Sequence, residues 1–179
     1  MLSNLITIKL KNRIRLIEKD IYNPLQCQQN IMQKHVEFAK DTMFGNKYNF
    51  QNIKTYNDFS KIPISNYSDL KHYVEYAQNN KADILWPGKT NWFAKSSGTT
   101  SSKSKFIPVT KESLELGHFK GGKDMLSLYL NNNTNSKILT GKSLMIGGST
   151  NINPYKNSYS GDVSAIIIKN LPFWVQWKR

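Results

Sequence analysis

Residues 95–105, Lys95-Ser96-Ser97-Gly98-Thr99-Thr100-Ser101-Ser102-Lys103-Ser104-Lys105, gather hydroxyls, one glycine and cations into a single stretch. Such a set suits a polyphosphate. A phosphate is held where several donors converge without bulky side chains, and successive backbone N–H groups around a glycine form a concave nest of that kind. Gly98 supplies the backbone freedom, Ser96, Ser97, Thr99 and Thr100 offer hydroxyl donors, and Lys105 places a cation beside the oxygens. Each charge-assisted hydrogen bond of this type contributes about 1.5–3 kcal/mol. The same composition also makes flexible, solvated linkers. What favours a binding loop is its flanks: Trp92-Phe93-Ala94 and Phe106-Ile107-Pro108-Val109 are short aromatic and β-branched runs that read as strands holding it at both ends.

The surrounding elements follow from periodicity. Ile6, Leu10, Ile14, Ile17 and Ile21 recur at helical spacing and predict an amphipathic first helix. Asn23-Pro24 starts a second, with Pro24 in the first helical position after an Asn cap. Met32, Val36, Ala39 and Met43 form its face, and Gly45 closes it in the left-handed conformation. Leu70, Tyr73, Val74 and Ala77 mark a third. Thr110 caps a fourth, with Leu114, His118, Gly121, Met125 and Leu128 along one stripe. Leu144-Met145-Ile146 and the run from Val163 to Lys169 read as buried strands, and the Asn- and Tyr-rich stretch from 151 to 160 as turns. Helices first and mixed strands and helices afterwards describe an α/β or α+β domain, incomplete in its sheet, with residues 1–80 mainly helical and 81–179 mixed.

Composition sets the outer bounds. With 39% hydrophobic and 21% charged residues, and a mean hydropathy of −0.54, the chain reads as globular. No stretch is long enough to span a bilayer. Tryptophans beside Lys178 and Arg179 have the look of an interfacial anchor, but the segment is short, and no membrane partner is expected. The net charge of +13 raises nucleic-acid binding as the rival function, a small basic binding module. The cations, however, are spread along the whole chain, with Lys9, Lys11, Arg13 and Arg15 the single early concentration, and no zinc-ligand spacing or recognition motif accompanies them. Cys27 is the single cysteine, so no intrachain disulfide forms, and the reading is cytoplasmic.

Other candidates carry less. Gly117-His118-Phe119-Lys120-Gly121-Gly122-Lys123-Asp124 nearly spells a G-x-x-x-x-G-K-[ST] phosphate loop, but Asp124 puts a negative charge where the magnesium-binding hydroxyl belongs. The segment is assigned to helix packing, with Gly121 and Gly122 explained by close approach of another backbone and His118 as a core histidine. Three scattered histidines, His35, His72 and His118, suggest no metal site. Gly147-Gly148-Ser149-Thr150 reads as a strand-terminating turn ahead of a substrate contact.

Phe93-Ala94-Lys95-Ser96-Ser97-Gly98-Thr99-Thr100, followed by Ser104-Lys105-Phe106-Ile107-Pro108-Val109-Thr110, resembles the signature of the auxin-responsive family of acyl-adenylating amido synthetases, within the acyl-CoA synthetase and luciferase superfamily. Leu85-Trp86-Pro87-Gly88 upstream strengthens the resemblance, which matches bacterial members best. Thr42-Met43-Phe44-Gly45, Phe59-Ser60-Lys61-Ile62-Pro63-Ile64, Tyr67-Ser68-Asp69-Leu70 and Gly161-Asp162-Val163-Ser164-Ala165 also look familiar from it. The resemblance implies an enzyme that uses ATP and Mg²⁺ to adenylate a small carboxylic acid and passes the acyl group to an amine such as an amino acid. It also implies that the loop steadies the nucleotide phosphates.

Members of that family run to several hundred residues, so a chain of 179 residues reads as the N-terminal portion of the large domain. The later motifs for adenine, ribose and metal, and the C-terminal domain, have no counterpart here. The apolar ending from Leu171 through Phe173, Trp174 and Trp177 fits a surface that wants a partner, the missing part of the same enzyme. No residue is a credible general base, so no catalytic side chain is assigned, and the chain by itself is expected to be inactive.

Overall fold

The computed structural model describes residues 2–96, 104–140 and 148–172, with side chains from 12 onward and at Leu10. It divides into two compact units, Met1–Asn30 with Lys111–Met145, and Ile31–Thr110 with Ile146–Arg179.

In the first unit, helix α1 (Leu2–Tyr22) lies against helix α6 (Lys120–Asn132). Leu10, Leu114 and Leu130 are buried, Ile14 and Ile17 are half-buried, and Arg13 forms an ion pair with Asp124. This pair answers the near-miss phosphate loop: Asp124 is a helix-packing residue, as its segment predicts. Three expectations fail here. His118 is exposed, and the stripe through Met125 and Leu128 faces outward, with those two residues 65% and 44% exposed. The cause is a π-helical stretch at Ser113–Phe119, immediately before α6. A wider turn with i→i+5 bonds shifts the angular phase of everything after it, so the inward face continues from buried Leu114 through half-buried Leu126 to buried Ser127 and Leu130 instead. Gly121 and Gly122 are not sites of close approach either: a Cβ at each meets nothing within 4 Å.

Helix α2 (Pro24–Ala39) begins at the proline as predicted. The Asn23 side chain turns back and donates to the Lys19 carbonyl of α1 at 3.0 Å, while its own carbonyl accepts from the Cys27 N–H. The helix stops at Ala39, earlier than expected. The Thr42 hydroxyl donates to the Ala39 carbonyl at 2.7 Å and accepts from the Gly45 N–H at 3.0 Å, which ends one helix and starts the next, α3 (Met43–Lys47). Gly45 is therefore inside a helix and not a left-handed cap. Its role is steric, since a Cβ there would sit 2.0 Å from the Ala39 carbonyl oxygen.

The second unit has two apolar clusters. Val36, Ala39, Phe50 and Ile53 form one, with Met32, Tyr48, Ile62 and Trp86 around it. Tyr73, Val74 and Ala77 of helix α5 (Tyr67–Gln78) form the other with Ile84 and Phe93. Phe44 packs on both clusters. The short helix α4 (Tyr56–Phe59) carries a reciprocal capping box between Thr55 and Asp58.

The sheet has four strands in the order β2-β1-β4-β3. Strands β1 (Trp92–Ser96) and β2 (Lys105–Val109) pair antiparallel, β1 pairs parallel with β4 (Ser158–Gly161), and β4 pairs antiparallel with β3 (Ile152–Tyr155). The stretch expected to be turns is thus a hairpin. Its turn is tight at Lys156, with φ 56°, and cross-strand pairing overrides the weak strand propensity of Asn, Pro, Ser and Gly. Conversely, the run expected as a strand from Val163 is helix α7 (Val163–Lys169), with Ala165 and Ile166 at 1% and 0% exposure. A short apolar run has no period of its own; Asp162, in an extended conformation at the helix N-cap, decides the matter. The proposed strand at Leu144-Met145-Ile146 and the aromatic ending from Phe173 lie outside the described residues. Among the described residues no helix is long and apolar enough to cross a membrane.

Candidate functional site

The β1–β2 hairpin carries the stretch singled out from sequence. Phe93 and Ala94 are buried and anchor β1, while Lys95 is exposed and Ser96 half-buried at its end. The register pairs Trp92 with Val109 and runs without interruption to Ser96 opposite Lys105. Ser96 and Lys105 therefore face each other across the mouth of the hairpin. Ser97, Gly98, Thr99 and Thr100 lie outside the described residues. Of the six proposed phosphate-binding residues, the structure brings two together.

What holds the mouth in place is more elaborate than the sequence suggested. Ahead of β1, residues 81–90 form a corner: Gly88 has φ 76°, its N–H donates to the Asp83 carboxylate at 2.7 Å, and its carbonyl accepts from the Asp83 N–H at 3.0 Å. The corner is pinned to α3, where Met43 and Phe44 N–H groups donate to the carbonyls of Asp83 and Ile84 at 2.7 and 3.0 Å. Trp86 stacks on Phe38 with ring centroids 5.1 Å apart. On the other side of β1, Trp92 meets its register partner Tyr159 at 5.2 Å.

Strand β2 lies at a sheet edge, where unpaired backbone groups are normally left open. Here the Tyr67 hydroxyl fills that role, accepting from the Phe106 N–H at 2.9 Å and reaching the Phe106 carbonyl at 3.3 Å. Its ring also lies under the Lys105 ammonium, Nζ to centroid 5.7 Å. Tyr67 is the first residue of α5, whose start is set by the Asp69 carboxylate accepting from the Asn66 N–H at 2.8 Å. Sequence reasoning quoted Tyr67 only as part of a familiar motif. The signal that marks it is a tyrosine in the first helical position of an Asn-x-x-Asp start, directly after the capping Asn66.

The weaker candidate Gly148-Ser149 is a turn held by Asp162, whose carboxylate accepts from the Ser149 N–H at 3.0 Å. A Cβ on Gly148 would meet that same carboxylate oxygen at 2.9 Å. Cys27 is a half-buried free thiol. Among the described residues no group of three His, Cys, Asp or Glu side chains converges as a metal site.

A mixed four-stranded sheet with flanking helices defines an α/β protein. The chain belongs to the GH3 family: the sequence matches the GH3 family N-terminal domain over residues 13–179. Among solved structures it is similar to a GH3.15 acyl acid amido synthetase, with a TM-score of 0.75 at 20% identity, an agreement of fold. That alignment covers 90% of this chain and 29% of the other, so the chain spans less than a third of that protein's length. No curated protein sequence matches it.

Proposed function

We propose that the chain is the N-terminal portion of an ATP-dependent acyl-acid amido synthetase and that its β1–β2 hairpin carries the grip on the nucleotide's phosphates. The observation that carries this reading is the hairpin register, which pairs Ser96 with Lys105 at the ends of the segment that contains Ser97, Gly98, Thr99 and Thr100. Family membership over residues 13–179 supports it. In this reading both units belong to one partial domain, and the missing part of the enzyme supplies the groups for adenine, for the acid and amine substrates, and for catalysis.

The donor set fits a triphosphate: hydroxyls and backbone amides bind the oxygens, and Lys105 offsets the charge that builds on pyrophosphate as the carboxylate displaces it from the α-phosphate, an electrostatic contribution. Mg²⁺ would offset the same charge; the described hairpin strands contain no carboxylate to hold it, so its ligands would come from the nucleotide and from the rest of the enzyme. A cytoplasmic location, where ATP is abundant, accords with this proposal.

The test is ATP and tripolyphosphate titration of the purified chain and of its Gly98→Val variant. Gly98→Val abolishes binding if the loop's backbone forms the nest. Equal binding by both proteins, or binding to duplex DNA that weakens steeply with salt while ATP has no effect, overturns the proposal in favour of a basic nucleic-acid module. ATP–pyrophosphate exchange by the chain alone is expected to be absent.

A further inference from the structure

The geometry points to Tyr67 as a positioning residue for Lys105, and through it for the triphosphate grip; this inference rests on the function proposed above. One side chain makes two kinds of contact with adjacent residues of β2. Its hydroxyl engages both backbone groups of Phe106 at 2.9 and 3.3 Å, and its ring sits 5.7 Å beneath the Lys105 ammonium. The first contact fixes the height and twist of the edge strand where Lys105 leaves it. The second gives the ammonium a preferred side, within the distance at which a cation is drawn to an aromatic face.

A long lysine side chain at the mouth of a hairpin otherwise samples many rotamers, and a ligand must pay for that freedom on binding. Lys105 is paired in register with Ser96, so a ring that limits the excursions of its ammonium limits them at the strand end where the proposed grip begins. The tyrosine is itself well anchored. It opens α5, whose start is fixed by Asn66 and Asp69 and whose Tyr73, Val74 and Ala77 are buried in a core cluster together with Phe93 of β1. Strand β1, strand β2 and the ring beneath Lys105 are therefore referenced to a single packed helix. Phe106 adds a further restraint, its ring stacked on Tyr155 at 4.6 Å.

The experiment uses the whole chain, tripolyphosphate as ligand, and the variants Tyr67→Phe, Tyr67→Leu, Lys105→Ala and Tyr67→Leu/Lys105→Ala, each checked for folding by circular dichroism. Tyr67→Phe keeps the ring and removes the hydroxyl. Two neutral hydrogen bonds are lost, so binding weakens about fivefold to tenfold. The Lys105 side-chain methylene resonances, shifted by the Tyr67 ring in the free protein, stay shifted in Tyr67→Phe and return to ordinary values in Tyr67→Leu. The decisive reading is the double variant: it binds no more weakly than Lys105→Ala alone, because the tyrosine acts through the lysine.

If Tyr67→Leu weakens binding by the same factor with Lys105 present or absent, Tyr67 is merely structural and the inference is overturned. If the ring-induced shift is present yet Lys105→Ala binds tripolyphosphate as the unaltered chain does, the phosphate-grip reading itself fails, and the positioning role with it. If Tyr67→Phe binds normally while Tyr67→Leu does not, the hydroxyl clamp is overturned as part of the device.

Discussion

Gly45→Ala is the most demanding substitution the structure defines. The added methyl group would lie 2.0 Å from the carbonyl oxygen of Ala39, 2.8 Å from that of Lys40 and 3.0 Å from the Ala39 carbonyl carbon, all backbone atoms at the end of α2. No rotamer relieves this. Helix α3 must move away from α2 by about an ångström, an overpacking response that costs about 1–3 kcal/mol. The movement also strains the Thr42 hydroxyl's bond to the Gly45 N–H, a cap that contributes about 1 kcal/mol. Together these predict a loss of about 3 kcal/mol, a large share of the about 5–15 kcal/mol that holds a domain together. With a urea dependence of about 2 kcal/mol per molar, the unfolding midpoint falls by about 1.5 M. Trp86 packs on the cluster that borders Gly45 and reports the transition by fluorescence. A midpoint for Gly45→Ala equal to or above that of the unaltered chain would refute the steric argument.

Gly121→Ala and Gly122→Ala are expected to do the opposite, since both sites lie in α6 with open space around them. Each replacement should raise stability by about 0.4–1 kcal/mol, read in the same urea titration, and a loss at either position would contradict the open-space finding. Asp58 provides a pH test: the Thr55 hydroxyl, then the backbone N–H groups of Lys54 and Thr55, hold its carboxyl down to about 2 from an ordinary 3.8. Because the folded-state value is lowered, the stability it contributes is complete above the unfolded value and is lost as pH falls through 3.8 toward 2. NMR titration of the carboxyl should show that low midpoint, and Thr55→Ala should move it back upward; no movement would remove the capping box as the cause. Gly98→Val separates a phosphate nest from a passive linker by loss of ATP binding with unfolding unchanged.

Legibility in the sequence followed the strength of the local signal. Pro24 and the burial of Tyr73, Val74 and Ala77 in α5 were readable because a proline and a repeating apolar spacing each encode geometry directly. The β1–β2 pairing was readable from two short apolar runs around a polar loop. The α6 stripe was misread because a π-helical stretch at Ser113–Phe119 breaks the 3.6-residue phase that the reading assumed, and nothing in residue type announces such a stretch. The β3–β4 hairpin and α7 were interchanged with a turn and a strand for a related reason. Ser158 and Ser160 are buried by their neighbours in the sheet, and Ile166 by helix burial, so tertiary partners decide what propensity leaves open.

The motifs that carried the family resemblance have mainly architectural roles, and this bears on where chemistry can lie. Thr42-Met43-Phe44-Gly45 joins α2 to α3 and receives the corner that contains Leu85-Trp86-Pro87-Gly88, and that corner delivers β1. Gly161 ends β4 beside Ile152, and Asp162 both starts α7 and holds Ser149. Tyr67-Ser68-Asp69-Leu70 starts α5 and closes the free edge of β2. Each motif thus fixes a different boundary of the strands flanking residues 97–104, and none offers the hydroxyl and cationic set that a polyphosphate requires. The densest such set lies between Ser96 and Lys105, in a segment whose flanks are tied down from α3, α5 and β4 alike. Fixing two strand ends from this many directions accords with the phosphate grip proposed above, whose donors would lose effect when displaced by about an ångström.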